Sequence, residues 1–123
     1  MSLGRRMKKL FGKPYTSVRP HDARALLEQG AVLLDVREQA EWKAGHAPKA
    51  HHIPLAQLAR RVRELPEGRQ IVTVCRSGAR SARAARLLAG QGRTVANLTG
   101  GMNAWAAQGF PVVANGGRRG AVV

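Results

Sequence analysis

Residues 71–81 read IVTVCRSGARS, and this stretch determines how the rest of the chain is interpreted. Its first four residues, Ile71–Val74, are mostly β-branched and predict a buried strand. A short polar loop follows, with the chain's single cysteine, Cys75, at its start and Gly78 where the backbone must curl. A helix is predicted to begin at Ser81. This order of strand, tight loop and helix places the cysteine at the carboxyl end of a parallel strand, where sites form in open α/β sheets.

The same alternation of strand and helix continues on both sides of this stretch, with Gly and Pro residues separating the units. Further strands are predicted over residues 15–18, 31–36, 50–53 and 94–98. Helices are predicted over residues 20–30, 38–43, 55–65, 81–90 and, in a short last turn, around 104–106. Alternating strands and helices predict an α/β fold, with an open parallel sheet covered by helices on both faces.

The chain's 123 residues are enough for one domain with one hydrophobic core. We assign the domain to residues 14–115. Residues 1–13, with five basic side chains, are predicted to form a flexible N-terminal tail, and residues 116–123 a flexible C-terminal tail. No apolar run approaches the roughly 18 residues of a membrane span, and the basic N-terminus lacks the apolar segment of a signal peptide. We therefore expect a cytoplasmic protein with no membrane partner.

Charge is distributed unevenly along the chain. The formal net charge is +14, and residues 68–123 contain eight arginines and no Asp or Glu. Such a segment produces a positive potential that favours anions and thiolates. Nucleic-acid binding would suit this charge, but aromatic residues make up only 4% of the chain and no DNA- or RNA-binding motif is recognisable. The sequence therefore argues against a nucleic-acid partner.

Cys75 is the candidate nucleophile. A curled loop that ends at a helix N-terminus can point several N–H groups inward and so form an anion-binding concavity. These dipoles, together with Arg76 or Arg80, would stabilise a thiolate and lower the cysteine pKa below its usual ~8.5. A buried structural cysteine is the simpler alternative, but the polar continuation of the loop makes an inert site hard to build. The loop also lacks the Gly-x4-Gly-Lys spacing of nucleotide-binding proteins.

Three blocks of the sequence, in register, resemble the rhodanese homology family over residues 15–113. The blocks are residues 33–46 (LLDVREQAEWKAGH), 75–81 (CRSGARS) and 98–111 (LTGGMNAWAAQGFP). The resemblance implies a rhodanese-like α/β fold, in which an open parallel five-stranded sheet carries helices on both faces. It also implies a sulfurtransferase that needs no cofactor.

The resemblance further implies the reaction and the residues that perform it. Cys75 would take a sulfane sulfur from an anionic donor such as thiosulfate, hold it as a persulfide, and pass it to cyanide, a small thiol or a protein thiol. The implied substrate-binding residues are the six that follow the cysteine: Arg76, Ser77, Gly78, Ala79, Arg80 and Ser81. Asp35 and Arg37 are expected near the pocket, where a structural role, such as an ion pair between Arg37 and Glu41, is favoured over chemistry.

The chain departs from the family pattern after His46, where residues 47–50 read APKA instead of Ile-x-Gly-Ala. Loss of that glycine is expected to change the turn and to put the charge of Lys49 near the rim of the pocket. Phosphatases and arsenate reductases of related fold have Cys-x5-Arg sites, whose loop is one residue longer than the loop after Cys75. The shorter loop here suits a sulfur atom better than a phosphoryl group. A non-enzymatic binding module is the other alternative, and the presence of Cys75 counts against it. The lone cysteine and scattered histidines give no zinc-ligand spacing, so no metal is expected.

Overall fold

The computed structural model describes residues 13–123, which form five strands and five α-helices. The strands are β1 (Thr16–Val18), β2 (Val32–Asp35), β3 (His51–His52), β4 (Ile71–Val74) and β5 (Val95–Leu98). The α-helices are α1 (Pro20–Glu28), α2 (Gln39–Ala44), α3 (Leu55–Arg61), α4 (Ala79–Gly90) and α5 (Gly101–Ala107). Two short 3-10 helices, Val62–Glu64 and Asn115–Gly117, complete the secondary structure. The predicted N-terminal tail lies outside the described residues except for Lys13.

The five strands form one parallel sheet in the order β1-β5-β4-β2-β3. Its three central strands are buried on both faces, which explains why their sequences are runs of apolar residues rather than alternating ones. On one face, Leu58 of α3 and Leu88 of α4 belong to the first core cluster. On the other face, Ala23 of α1 and Trp105 of α5 belong to the second. The predicted five-stranded parallel sheet with helices on both faces is confirmed.

The helix after the Cys75 loop begins two residues earlier than predicted, at Ala79 rather than Ser81. Gly78 is its N-cap residue and has a φ of 121°, a conformation that glycine adopts far more readily than other residues. The chain therefore enters the helix directly from the loop. As a result, Ser81 lies inside the first turn, from which its hydroxyl reaches back toward the loop.

Lys49 adopts a left-handed backbone conformation, with a φ of 64°. It occupies the position where the family pattern has glycine, so the turn keeps a conformation that suits glycine and the lysine Cβ is strained. Its side chain lines a groove of about 500 Å³ together with Arg24 and Arg69, and no residue of the loop 75–81 lines this groove. The expectation of a lysine charge at the rim of the Cys75 pocket was wrong. Lys49 precedes β3 and so lies at the amino ends of the parallel strands, whereas Cys75 follows β4 and lies at their carboxyl ends.

Replacing Lys49 with glycine should raise the free energy of unfolding by about 1 kcal/mol, because glycine adopts positive φ without the Cβ clash. Denaturant unfolding of the two proteins measures the difference. Lys49→Ala removes the charge but keeps the Cβ, so this control should show no comparable gain. A glycine variant that is no more stable than the alanine variant would contradict the strain assigned to this turn.

The C-terminal segment follows a defined path along the domain. The Gly120 N–H donates to the carbonyl of Val112 over 2.9 Å, and the Ala121 N–H donates to the carbonyl of Ala44, at the end of α2, over 2.9 Å. These bonds place the segment beside the turn that follows α2. The prediction that residues 116–123 form a flexible tail concerns motion and stays a prediction.

Candidate active site

The loop between β4 and α4 surrounds the sulfur of Cys75. Cys75 directly follows β4, at the carboxyl edge of the sheet, and the residue is only 1% exposed. The Gly78 N–H donates to Sγ over 3.1 Å, and the Ser81 hydroxyl lies 3.3 Å from Sγ and can donate to it. The sulfur is therefore buried, but polar hydrogens point at it. This arrangement suits an anion better than an apolar thiol.

These contacts hold the pKa of Cys75 below its ordinary value. Burial of the thiol raises the pKa and is the largest single influence, but the hydrogen bonds together outweigh it. They come from the Ser81 side chain and from the backbone N–H groups of Ser81, Gly78 and Ser77. Amide and hydroxyl dipoles, rather than a neighbouring cation, supply the leading stabilisation of the thiolate.

The first turn of α5 holds the loop from behind. The Met102 N–H donates to the carbonyl of Cys75 over 2.8 Å, and the Asn103 N–H donates to the carbonyl of Arg76 over 3.1 Å. The first N–H groups of a helix have no partner within the helix, so they are available for this purpose. Because the Arg76 carbonyl points toward α5, the N–H of Ser77 in the same planar peptide unit points the other way, toward the sulfur. Helix α5 thus fixes the orientation of the loop amides.

Arg80, in the first turn of α4, makes a bidentate ion pair with Glu41 of α2. The distances are 2.6 Å from Nη1 to Oε1 and 2.8 Å from Nη2 to Oε2. The hydrogen bond from Arg80 is the main cause that lowers the pKa of Glu41 to about 2. The bond to Glu41, with a smaller contribution from the charge of Cys75, raises the pKa of Arg80. Arg80 is therefore within electrostatic range of the sulfur, but its guanidinium already binds a carboxylate.

This ion pair gives stability a defined pH dependence. The pKa of Glu41 is about 2 in the folded protein against an ordinary value of 4.5, so the stabilisation from the pair is fully present above pH 4.5 and is lost as the pH falls through 2. We expect Glu41→Gln to lower the free energy of unfolding near neutral pH by about 1–2 kcal/mol, reduced from the full shift by solvent screening. The deficit should shrink as the carboxylate of the parent protein is protonated and disappear near pH 2.

Denaturant unfolding of Glu41→Gln and of the parent protein across this pH range measures the effect. Glutamine can still accept the capping bond from the Glu38 N–H, so the start of α2 is preserved. The matched control is Glu64→Gln, which breaks the solvent-exposed pair with Arg61 and should change the free energy of unfolding much less than Glu41→Gln does. A deficit that does not change with pH would contradict the ionic character assigned to the Glu41 contact.

Asp35 and Arg37 form an ion pair that is completely buried beside the loop. Arg37 Nη2 lies 2.7 Å from Asp35 Oδ2, Arg37 Nε donates to Oδ1 over 3.0 Å, and both side chains are 0% exposed. Arg37 Nη2 also donates to the carbonyl of Gly45 over 2.7 Å. Asp35 pairs in register with Val74, the residue before the cysteine. The pair therefore ties the turn after β2 to the segment after α2, next to the site.

The predicted pairing of Arg37 with Glu41 was wrong. Asp35 lies two residues from Arg37 on the same side of the chain. Its carboxylate accepts hydrogen bonds from both the side-chain Nε and the backbone N–H of Arg37. Glu41 is left to bind Arg80 instead. The carboxylate that reaches the Cys75 loop is therefore Glu41, which was predicted to pair with Arg37.

Asn97 of β5 reaches the loop, a position that was not predicted from the sequence. The residue is 6% exposed, and its Nδ2 donates to the carbonyl of Gly78 over 3.2 Å. Its Oδ1 lies 3.3 Å from the hydroxyl of Thr73 in β4. A lone amide in an otherwise apolar strand was the available signal, because a buried amide is costly unless it is hydrogen-bonded.

Within residues 13–123, no group of three His, Cys, Asp or Glu side chains is placed to hold a metal ion. Two of the histidines make structural contacts instead: the rings of His46 and His52 stack on Trp42 at centroid distances of 3.6 and 4.8 Å. The expectation of no metal stays a prediction. No helix in the same range combines the length and apolar character that crossing a bilayer requires.

Comparison with known proteins finds matches that span this loop. A family model described as a rhodanese-like domain matches residues 19–108. A sulfurtransferase of Allochromatium vinosum is 42% identical over 87 residues, covering 70% of this chain and 81% of that protein. The thiosulfate sulfurtransferase GlpE of Pseudomonas syringae is 37% identical over 92 residues, covering 74% and 87%. The crystal structure of a rhodanese-related protein from Thermoplasma volcanium matches with a TM-score of 0.75 at 29% identity, covering 80% and 98%.

Proposed function

The chain belongs to the rhodanese-like domain family, and we propose that it is a sulfurtransferase in which Cys75 is the nucleophile. In the proposed cycle, the Cys75 thiolate attacks the outer sulfur of an anionic donor such as thiosulfate. The sulfur–sulfur bond of the donor breaks, sulfite leaves with the bonding electrons, and Cys75 holds the sulfur as a persulfide. Cyanide or a thiol, small or on a protein, then takes the outer sulfur and restores the thiolate.

The observation that carries this proposal is the set of donors around Cys75 Sγ. The Gly78 N–H and the Ser81 hydroxyl lie 3.1 and 3.3 Å from the sulfur. Donors held in place by the fold stabilise negative charge without reorganising during the reaction. The same donors suit the thiolate before transfer and the anionic persulfide after it. A neutral structural thiol is only a weak acceptor and gains less from these donors than a thiolate does.

The remaining loop residues are proposed to bind the donor. We assign this role to the backbone N–H groups of Arg76, Ser77, Gly78, Ala79, Arg80 and Ser81. Arg76 is exposed and makes no ion pair among residues 13–123, so its side chain is the more available cation for an incoming anion. The Arg80 guanidinium can bind the donor only when its ion pair with Glu41 opens. Asp35 and Arg37 support the loop from beside it.

Thiosulfate treatment followed by intact-mass and peptide analysis tests the proposal. We expect the mass of one sulfur atom to be added at Cys75 and to be removed by cyanide, with release of thiocyanate. The chain has one cysteine, so no other thiol competes for the added sulfur. Absence of both the adduct and thiocyanate would favour a non-catalytic binding module. Faster turnover of aryl phosphates than of thiosulfate would make the protein a phosphatase instead.

A cytoplasmic location belongs to the same proposal. A lone reactive thiol that must stay reduced between turnovers is suited to a compartment in which thiols are kept reduced. The acceptor thiol also requires such a setting.

A further inference from the structure

Ser81 has one hydroxyl proton and two acceptors within reach. Its Oγ lies 3.3 Å from Cys75 Sγ and 3.1 Å from the carbonyl oxygen of Gly78. A hydroxyl group donates one hydrogen bond, so a proton given to the carbonyl is withheld from the sulfur. The destination of this proton decides whether Ser81 stabilises the thiolate.

The Gly78 carbonyl already accepts two other hydrogen bonds. The Ala82 N–H donates to it over 3.1 Å as part of helix α4, and Asn97 Nδ2 donates to it over 3.2 Å. A carbonyl oxygen has two lone pairs, and these two donors occupy both. Competition from these two donors weakens a third bond, from Ser81 to this oxygen, and so favours donation of the Ser81 proton to the sulfur.

The amide of Asn97 has a fixed orientation. The Gly78 carbonyl can only accept, so the amide nitrogen of Asn97 must face it, and the amide oxygen faces the Thr73 hydroxyl at 3.3 Å. Thr73 and Asn97 are 0% and 6% exposed, which leaves little access for water to replace either bond. Both lie on the neighbouring central strands β4 and β5.

We propose that Asn97 is a positioning residue for the Cys75 thiolate, which acts by occupying the Gly78 carbonyl and so reserving the Ser81 proton for the sulfur. Asn97 touches neither the sulfur nor a substrate, and its influence passes through Ser81. Its importance for turnover rests on the proposed function. Its effect on the ionisation of Cys75 does not, because that is a property of the free protein.

The test is the pH dependence of the alkylation of Cys75 by iodoacetamide, which reacts with the thiolate. The chain has one cysteine, so the rate reports on this sulfur alone. Asn97→Leu keeps a similar volume and removes the bond to Gly78. We expect the rate at a fixed pH below the thiol pKa to fall about three- to tenfold, which corresponds to one weakened hydrogen bond.

A double variant separates this role from general support of the loop. Ser81→Ala removes the hydroxyl, and Asn97→Leu should then cause no further fall in the alkylation rate, because the group through which it acts is absent. Thr99→Val is the matched control: it deletes an exposed hydroxyl that bonds the Val18 carbonyl near the end of β5, and it should leave the pH profile unchanged.

Two results would overturn the proposal: an unchanged pH profile in Asn97→Leu, or additive effects in the double variant. If Asn97→Leu does not fold, Thr73→Val serves instead, since it frees the Asn97 amide without replacing it, and a smaller fall is expected. The measurement uses no sulfur donor. A shifted profile in a protein that takes up no sulfur would therefore refute the proposed function and leave this inference standing.

Discussion

The Cys75→Ser protein should take up no sulfur from thiosulfate and should form thiocyanate at least on the order of 10⁴-fold more slowly than the parent. A serine hydroxyl is not ionised near neutral pH and cannot form a persulfide, so both halves of the proposed cycle are blocked. The substitution is nearly isosteric, and the donors from Gly78 and Ser81 can bond the serine oxygen. Loss of activity should therefore come without loss of the fold.

Thiocyanate formation and the unfolding curve of each protein, measured side by side, check this prediction. The control is the parent protein alkylated at its only thiol, which should be as inactive as the serine variant. Turnover retained by Cys75→Ser would place the nucleophile elsewhere and remove the basis of the proposed function.

Replacing Gly101 with alanine should disturb the contact between α5 and the backbone of the Cys75 loop, without placing any atom against the sulfur. A Cβ at Gly101 would lie 2.5 Å from the carbonyl oxygen of Arg76 and would also meet that of Cys75. Both obstacles are backbone atoms, so relief requires the loop or the start of α5 to move. The bonds from α5 that orient the loop amides would then be lost. We expect a loss of about 2–3 kcal/mol in stability and a fall in sulfur transfer on the order of 10²-fold.

Gly109→Ala is the matched control for this variant. Gly101 and Gly109 have φ values of 55° and 77°, but a Cβ on Gly109 would meet nothing within 4 Å. The control therefore isolates the cost of the left-handed backbone, about 1 kcal/mol, and should leave sulfur transfer unchanged. Denaturant unfolding and thiocyanate formation give the two readouts. Equal behaviour of the two variants would show that close packing behind the loop does not matter for the site.

The hydrophobic pattern was sufficient to predict the sheet because its central strands are buried on both faces. β4 has the predicted bounds of Ile71–Val74, and β2 and β5 lie within their predicted segments. The edge strand β3 is only two residues long, within a predicted segment of four, because it has one neighbour and little burial to extend it. The start of α4 was misplaced because Ser81 resembles an N-cap residue by type, whereas the backbone of Gly78 performs that function.

Contacts between residues close in sequence were the part of the candidate site that could be predicted. The donation from Gly78 to the sulfur follows from a short loop between a strand and a helix. The partner of Arg80 could not be deduced, because Glu41 lies 39 residues away and ion pairing depends on distances in the folded chain. Asn97 was missed for the same reason: its contact with Gly78 spans 19 residues and exists only once β5 lies beside β4.

The contacts behind the cysteine have a consequence for the order of events during synthesis. A nascent chain that has emerged as far as Gly90 contains the nucleophile, its loop and all of α4. It lacks β5, which pairs with the first strand, and it lacks Met102 and Asn103, which hold the loop carbonyls. At ribosomal rates of about 5–20 residues per second, these partners arrive only a second or so later. Until then no helix holds the loop carbonyls, so the lowered pKa of the thiol should be fully established only when the domain is complete.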